Sequence, residues 1–371
     1  MAKDKKRTAK PSKRSAPARR LAAQQMYRCE ATVAAGLEDI AQDELRRRLG
    51  PDARLQALAR DQVEPGVVRF DYTSDLRLLL QLQTVIAVFL VRQFAVPRPR
   101  ALLGDEHFRA LLQQIATACD LLPGATYQTL YLGAAGSDTA VMARLKQELS
   151  SHTGLAVAPD EGDLLIRVRR TADGTGWETL VRLSPRPLAT RPWRVCNMEG
   201  ALNATVARAM ALLTQPKPND CFLNLACGSG TLLIERLACG PARRAIGCDT
   251  GIEALACAQT NLIASGYGGL GELHAWDARA LPLPAQSVDA LCADLPFGNL
   301  VGSHAENLEL YPALLAEAAR VACPDALFVL ITHEVRLMEA LLNQSAEWVT
   351  VEVRRVTLGG LHPRIFVLRR H

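Results

Sequence analysis

Five consecutive residues, Asp294-Leu295-Pro296-Phe297-Gly298, carry the clearest chemistry in this chain. They close an apolar run, 288–293, that reads as a buried strand. An exocyclic amine on a base is a weak nucleophile because its lone pair is drawn into the ring. Acceptors that take its protons orient the nitrogen and stabilise the positive charge that develops during alkylation. The Asp294 carboxylate and the Leu295 carbonyl are such acceptors. Pro296 stiffens the turn, and Phe297 can stack on a base drawn out of its helix. An ordinary strand-terminating Asp-Pro turn is the competing reading. The polar loop 300–304 follows at the same edge; His304 there reads as a loop residue rather than a general base.

Three other strand ends form a second constellation. Cys227-Gly228-Ser229-Gly230-Thr231 follows the strand 221–226 and opens a helix, a turn whose glycines let the backbone approach a ligand. No Lys follows the last Gly, so this is not a P-loop. Leu233 stands where a dinucleotide fingerprint needs its third Gly. Asp249 ends the strand 245–248, where a carboxylate can accept both hydroxyls of a ribose. Asp249 or Thr250 can equally cap the next helix. Asp277 ends the strand 273–276 in a position to lie beside an adenine ring, with the Ala278 backbone N–H next to it. Gly, Asp and Asp at three strand ends describe a crevice for a nucleoside cofactor.

The elements that must position these residues form a regular strand–helix alternation from about residue 218. Strands at 221–226, 245–248, 273–276, 288–293 and 327–331 alternate with helices through 231–237, 252–264, 308–321 and 336–343. Such repetition predicts a mostly parallel, doubly wound sheet. Segments 348–358 and 365–369 read as a closing hairpin that puts an antiparallel strand at the sheet edge. Upstream, strands 27–33 and 67–70, helices 37–49 and 76–82, and the run 85–94, which suits strand or helix, suggest a small α+β module ending at Pro97-Arg98-Pro99-Arg100. A second unit holds helices 107–121 and 137–150, a strand at 127–132, and the hairpin 163–169/177–183. Its arginines, Arg167, Arg169, Arg170, Arg182, Arg186, Arg191 and Arg194, suit either solvated surface or a phosphate-binding face. Glu235 and Asn261 read as structural.

Hydrophobic residues at 49% and charged residues at 22% suit a folded chain. No apolar run approaches the roughly 20 residues of a membrane span, and no signal peptide is visible. The ten cysteines contain no C-x-x-C pair and read as reduced, the histidines form no metal cluster, and no metal is expected. A cytoplasmic setting is the expectation. Residues 1–20 hold nine Lys or Arg and one Asp, a charge of +8 against +5 for the whole chain, so the remainder is −3. The basic balance belongs to a tail expected to be disordered, able to attract polyanions without reading their sequence.

The segments FLNLACGSGTLLIERL, AIGCDTGIEALACAQTN, HAWDARALPLP and ADLPFGNLVGSH resemble the class I methyltransferases. With RPWRVCNMEGALNATVARAM and AAGSDTAVMARLKQELSSHTGL upstream, the chain is similar more narrowly to the THUMP-containing guanine-N2 methyltransferases that act on transfer RNA. The resemblance runs from about residue 27 to the C-terminus. It implies a Rossmann-like, seven-stranded domain over 218–371, a linker and helix at 188–217, a THUMP-like RNA-binding domain over 99–187 and a ferredoxin-like domain over 26–98, behind a tail at 1–25. The implied cofactor is S-adenosyl-L-methionine, held by Asn203, Asn224, Ala226, Cys227, Gly228, Gly230, Asp249, Thr250, Asp277, Ala278 and Asp294. The implied reacting-base site is Asp294, Leu295, Pro296 and Phe297, matching the motif D/N-P-P-Y/F. The implied partner is tRNA, without a membrane, and no protein partner is read from the sequence, which is compatible with a monomer. Two departures stand out. Leu295 replaces the motif's first proline, harmless if only its carbonyl acts. Asn224-Leu225 stands where many members have Asp-Pro, which predicts weaker cofactor binding. A ribosomal RNA guanine-N2 enzyme and an RNA-binding protein with a vestigial catalytic domain remain the alternatives; a DNA adenine-N6 enzyme would share the amine chemistry without the THUMP-like module.

Overall fold

The computed structural model describes residues 25–56, 64–124, 127–296, 303–357 and 359–371. The basic tail, apart from Gln25, lies outside them. Two sheets account for most of the architecture. The first contains β1 (Tyr27–Thr32), β2 (Ala53–Leu55), β3 (Val67–Tyr72), β4 (Ala87–Phe94), β5 (Thr129–Ala134), β6 (Ala156–Val157), β7 (Leu164–Arg170) and β8 (Trp177–Arg182), in the order β2-β3-β1-β4-β8-β7-β5-β6. Helices α1 (Glu38–Leu49), α2 (Asp105–Cys119) and α3 (Ala140–Thr153) accompany it. The antiparallel β4–β8 pair, with Phe89 opposite Arg182 and Phe94 opposite Trp177, makes one continuous sheet from the segments on either side of residue 98.

That join explains the ambiguous run before Phe94. Both faces of β4 are covered, Val88 and Leu90 in the main core and Ala87, Phe89 and Val91 in a second cluster with Leu180, so it loses the apolar–polar alternation of a half-exposed strand. The predicted helix at 76–82 is instead a short 3-10 turn, Leu76–Gln81, capped by Asp75, whose side chain accepts the Arg77 N–H at 3.0 Å. In α1 the buried Glu44 carboxylate accepts from Gln83 N, Thr84 N and Thr84 Oγ1, so its charge is satisfied.

Several of the arginines that suited a phosphate face are engaged internally. Arg169 pairs with Glu30 and, at 2.7 Å, with Glu178. Arg182 donates to the carbonyls of Ser184 and Gly162. Arg191 bonds Glu235 at 2.8 Å and the Gln83 carbonyl at 2.6 Å; Arg194 bonds the Leu202 carbonyl and Thr231 Oγ1. Arg186 remains largely exposed, while Arg167 and Arg170 lie over the rings of Phe89 and Trp177. A phosphate face built from all seven is therefore excluded.

The second sheet holds β9 (Cys221–Leu225), β10 (Arg244–Cys248), β11 (Gly271–His274), β12 (Val288–Asp294), β13 (Ala322–Thr332), β14 (Trp348–Arg355) and β15 (Arg364–Arg370), in the order β11-β10-β9-β12-β13-β15-β14. Its helices are α4 (Ala204–Leu213), α5 (Thr231–Leu237), α6 (Ile252–Ala264), α7 (His304–Val321) and α8 (Val335–Gln344). This is the expected doubly wound, Rossmann-like sheet, with one correction at its end. The antiparallel strand is not at the edge: β15 inserts between β13 and β14, antiparallel to both, and β14 forms the edge. The crossover through α8 carries the chain past one strand position, and the returning strand fills the gap. The sequence shows a hairpin but not which arm lies outside.

The two sheets share a core. Ala34, Leu37 and Ile40 pack in one cluster with Met210, Ile234, Val356 and Ile365. Thr357 N donates to the Ala35 carbonyl at 2.9 Å. Gly36 sits between them at φ +97°, and a Cβ there would lie 2.0 Å from the Arg355 carbonyl oxygen. Only glycine fits, on both counts. The buried Arg191–Glu235 pair ties the linker to α5.

Candidate active site

The C-terminal ends of β9, β10 and β12 open on a cavity of about 640 Å3. This is the crevice where doubly wound sheets bind ligands. The turn after β9 is built from alternating left-handed residues, Ala226 (φ 47°), Gly228 (φ 53°) and Gly230 (φ 79°). Ala226 is a non-glycine residue in that region, a strained conformation of the sort that clusters at ligand sites. Cys227 N donates to the Cys248 carbonyl, and Gly228 N donates to Asp249 Oδ2, both at 2.9 Å. Asp249 Oδ1 accepts from Gly251 N at 2.8 Å. Asp249 thus clamps the turn to the residue before α6 while forming part of the cavity wall; α6 itself has no side-chain cap. Each of its oxygens retains a second lone pair.

Thr250, Asp277 and Ala278 also line the cavity. The Arg279 guanidinium holds the Asp277 carboxyl below the ordinary carboxylate range. Trp276, in the loop after β11, adds an aromatic wall stacked on the His274 ring with centroids 4.0 Å apart. Three expected cofactor residues, Gly230, Asn203 and Asn224, are not in the cavity wall, and Gly230 faces Ala258 of α6 instead. Asn203 caps α4, accepting from Thr205 N and Oγ1, and it is the preceding residues, Met198 to Leu202, that form the wall. Asn224 is fully buried inside β9, with Nδ2 donating to the carbonyls of Leu225 and Cys292. It supports the turn from below and does not line the cavity. The charge missing at this position is therefore removed from the sheet interior rather than from direct contact with a ligand.

The wall formed by Met198 to Leu202 is anchored at its start. Asn261 Oδ1 accepts from Val195 N and Cys196 N, and its Nδ2 donates to the carbonyls of Cys196 and Ser229, a structural role as expected. Cys196 and Cys257 form a disulfide, with Cα atoms 5.4 Å apart. This corrects the reading of ten reduced cysteines. The two are 61 residues apart, a separation that carries no pairing signal until the fold brings the loop onto α6. Cys227, Cys248 and Cys292 are free thiols whose pKa values burial pushes up, so they behave as small hydrophobes. Among the described residues no group of His, Cys, Asp or Glu is arranged to hold a metal.

Asp294 ends β12 at the far side of the cavity. It is half-buried, its Oδ1 is shielded from solvent and has no hydrogen-bond partner among the described residues, and burial pushes its carboxyl up to about 7. Leu295 N donates to the Ile331 carbonyl at 3.1 Å, which fixes the turn to β13. The Pro296 carbonyl accepts from Tyr311 OH at 2.7 Å and from Asn307 Nδ2 at 3.1 Å. Leu310, Leu314, His333 and Leu361 complete this end. Phe297 and residues 298–302 lie outside the described residues. His304 is the exposed first residue of α7, 2.9 Å from Glu334, and is not in the cavity wall. The residues missed in the sequence are chiefly this far wall and Trp276. Only Trp276, adjacent to Asp277, carried a local hint.

A buried, unpartnered carboxylate oxygen at one end and a glycine turn with Asp249 at the other fit a nucleoside cofactor with a reactive group aimed at Asp294. Residues 191–364 match the UPF0020 family model, an RMKL-like methyltransferase domain. That match spans every described residue of the cavity wall. The mouse protein named tRNA (guanine(6)-N(2))-methyltransferase THUMP3 is 34% identical over 182 residues, 46% of this chain and 36% of its own length. The tRNA (guanine(6)-N2)-methyltransferase of Thermus thermophilus is 29% identical over 220 residues, 59% of this chain and 64% of its own. The chain thus spans about a third of the length of the mouse relative. Among solved structures, TrmN from Thermus thermophilus superposes with a TM-score of 0.75 at 25% identity, covering 94% of this chain and 100% of that one. A putative methyltransferase, SMU.472, complexed with SAH, is similar in fold at 15% identity, with a TM-score of 0.65 over 92% of this chain and 97% of that one.

Proposed function

We propose that this chain transfers a methyl group from S-adenosyl-L-methionine to the exocyclic N2 amine of a guanosine in tRNA, forming N2-methylguanosine. The observation that carries the reading is the half-buried Asp294, with an unpartnered, shielded Oδ1, in the wall of the same cavity as the Gly228 turn and Asp249. The similarity to relatives named as tRNA guanine-N2-methyltransferases supports the substrate. When bound, S-adenosyl-L-methionine supplies an electrophilic methyl on a sulfonium. The residues suited to hold it are Ala226 to Ser229, Asp249, Thr250, Asp277, Ala278 and Trp276.

Asp294 and Leu295 do the remaining work. The carboxylate and the Leu295 carbonyl accept the two N–H bonds of the amine, aim its lone pair into the cavity, and offset the charge that builds on nitrogen. A carboxyl near 7 also takes up the released proton readily at neutral pH. The continuous sheet upstream, with α2 and α3, is the proposed RNA-binding unit. It combines the ferredoxin-like module and the THUMP-like domain over 99–187. The basic tail adds sequence-independent attraction to RNA, and the protein acts in the cytoplasm.

Methyl transfer from labelled S-adenosyl-L-methionine to unmodified tRNA, ribosomal RNA, U6 snRNA and DNA tests the proposal, with products digested to nucleosides. N2-methylguanosine in tRNA, absent with Asp294→Ala, is the expected result. Label confined to another nucleic acid would refute the tRNA assignment, and no transfer despite cofactor binding would refute the activity of the chain by itself.

A further inference from the structure

The turn that presents Asp294 is held by a hydrogen-bond chain whose direction can be worked out from its donors and acceptors. Tyr311 and Asn307 lie one helical turn apart on α7, at i and i+4, so their side chains share a face. Both reach the same atom, the Pro296 carbonyl oxygen, at 2.7 and 3.1 Å. A carbonyl has two lone pairs, and these two donors occupy both. Tyr311 OH also lies 2.7 Å from Thr332 Oγ1 on β13, and Thr332 Oγ1 accepts from Glu334 N at 2.9 Å.

A phenol has one proton. With that proton on Pro296, the Thr332 hydroxyl must donate to the Tyr311 oxygen, and its own lone pair is free for the Glu334 N–H. Every bond is then satisfied in one direction only, from Glu334 N–H through Thr332 and Tyr311 to Pro296. Tyr311, Thr332 and Asn307 are all fully buried. Burial also pushes the Tyr311 phenol up to about 12, so the donor persists across the working pH range. An unpaired buried carbonyl is costly, so the chain has one strongly preferred state.

We infer that Tyr311 and Asn307 are positioning residues that take the Pro296 carbonyl out of the chemistry and fix the Leu295 carbonyl, with Asp294, as the acceptor pair for the reacting amine. The inference rests on the proposed amine methylation. Without the clamp, the peptide group that carries the Pro296 carbonyl can rotate and the amine meets a choice of two carbonyls. Misplacing an attacking atom by about 1 Å costs on the order of a hundredfold in rate.

The test is Tyr311→Phe, which removes one oxygen and keeps the ring, beside Thr332→Val and Thr332→Ser. Methyl transfer to tRNA is measured at saturating and limiting RNA, with cofactor affinity measured separately. Tyr311→Phe is expected to lower kcat roughly 10- to 100-fold while leaving the KM for RNA and the cofactor Kd within about threefold. Thr332→Val is expected to have a smaller effect of the same kind, and Thr332→Ser, which keeps the hydroxyl, to restore wild-type kcat. A kcat within twofold of wild type for Tyr311→Phe, or a loss carried wholly by KM or cofactor affinity, overturns the inference. If wild type methylates no RNA, the proposed function fails, and the clamp is judged by hydrogen exchange of the peptide covering 291–296. Exchange about tenfold faster in Tyr311→Phe supports it, and unchanged exchange overturns it.

Discussion

Replacing Asp294 by Asn should stabilise the protein and weaken it as an enzyme, and both effects should depend on pH. Burial moves this carboxyl from 3.8 to about 7. At 1.36 kcal/mol per pH unit, holding the ionised form in place costs up to about 4 kcal/mol. Solvent reaching the half-buried side chain trims this to about 1–3 kcal/mol. A carboxyl whose folded pKa lies above its unfolded value imposes no penalty below about pH 4, where both states are protonated. The penalty grows from there to about pH 7 and is complete above it. Asp294→Asn should therefore raise Tm at pH 8 and change it little at pH 4. The rate runs the other way. Only the carboxylate both offsets the charge on nitrogen and takes up the released proton, so wild-type kcat/KM should rise about tenfold between pH 6 and 8 as the ionised fraction rises through a midpoint near 7. Asp294→Asn should lose about a hundredfold at pH 8 and show a flat profile over that interval. Thermal denaturation at pH 4 and 8, and pH–rate profiles of both proteins, make the comparison. A flat wild-type profile, or an Asn variant less stable than wild type at pH 8, would refute the reasoning.

Other substitutions probe the frame around that carboxylate. Gly230→Ala forces a left-handed alanine whose Cβ lies 3.1 Å from the Ala258 Cβ, so a loss of about 1–2 kcal/mol and weaker cofactor binding should appear in denaturation and titration. Gly36→Ala places a methyl 2.0 Å from the Arg355 carbonyl oxygen and should cost more than about 4 kcal/mol; a soluble variant with wild-type Tm would contradict the described junction. Closing the 61-residue loop between Cys196 and Cys257 is worth up to about 4 kcal/mol in the chain-entropy picture. Reductant should then lower the wild-type Tm but leave that of a Cys196→Ser/Cys257→Ser protein unchanged.

Much of this site was legible before any coordinates, because strand ends in a doubly wound sheet lie along one edge. Gly228, Asp249, Asp277 and Asp294 could be assigned to one crevice from alternation alone, and all four line it. Position within a strand was harder to read. Asn224 lies inside β9, two residues short of the cavity wall that starts at Ala226, and its identity gives no sign that β9 and β12 enclose it. Asn203 was likewise placed one step beyond the wall it terminates. The Cys196–Cys257 pair, the Tyr311–Thr332 contact and the Met198 wall depend on packing between elements far apart in sequence, where residue type is compatible with many neighbours. The eight-stranded continuity upstream was hidden for the same reason: the β4–β8 pairing spans about ninety residues, and nothing local distinguishes a shared sheet from two small ones.

The common core around Gly36 bears on how such a chain can be rearranged by recombination. A module joined by a loose tether can be exchanged, lengthened or lost with little penalty. Here Ala34, Leu37 and Ile40 are core residues of the catalytic half, and the Ala35–Thr357 bridge stitches the start of the chain to its last hairpin. Any crossover between the halves would have to preserve both surfaces at once. The distance from the upstream sheet to Asp294 is therefore inherited as a fixed property of the whole chain, and under the proposed function a change of RNA site would have to come from substitutions on the upstream sheet and its helices, not from a longer linker.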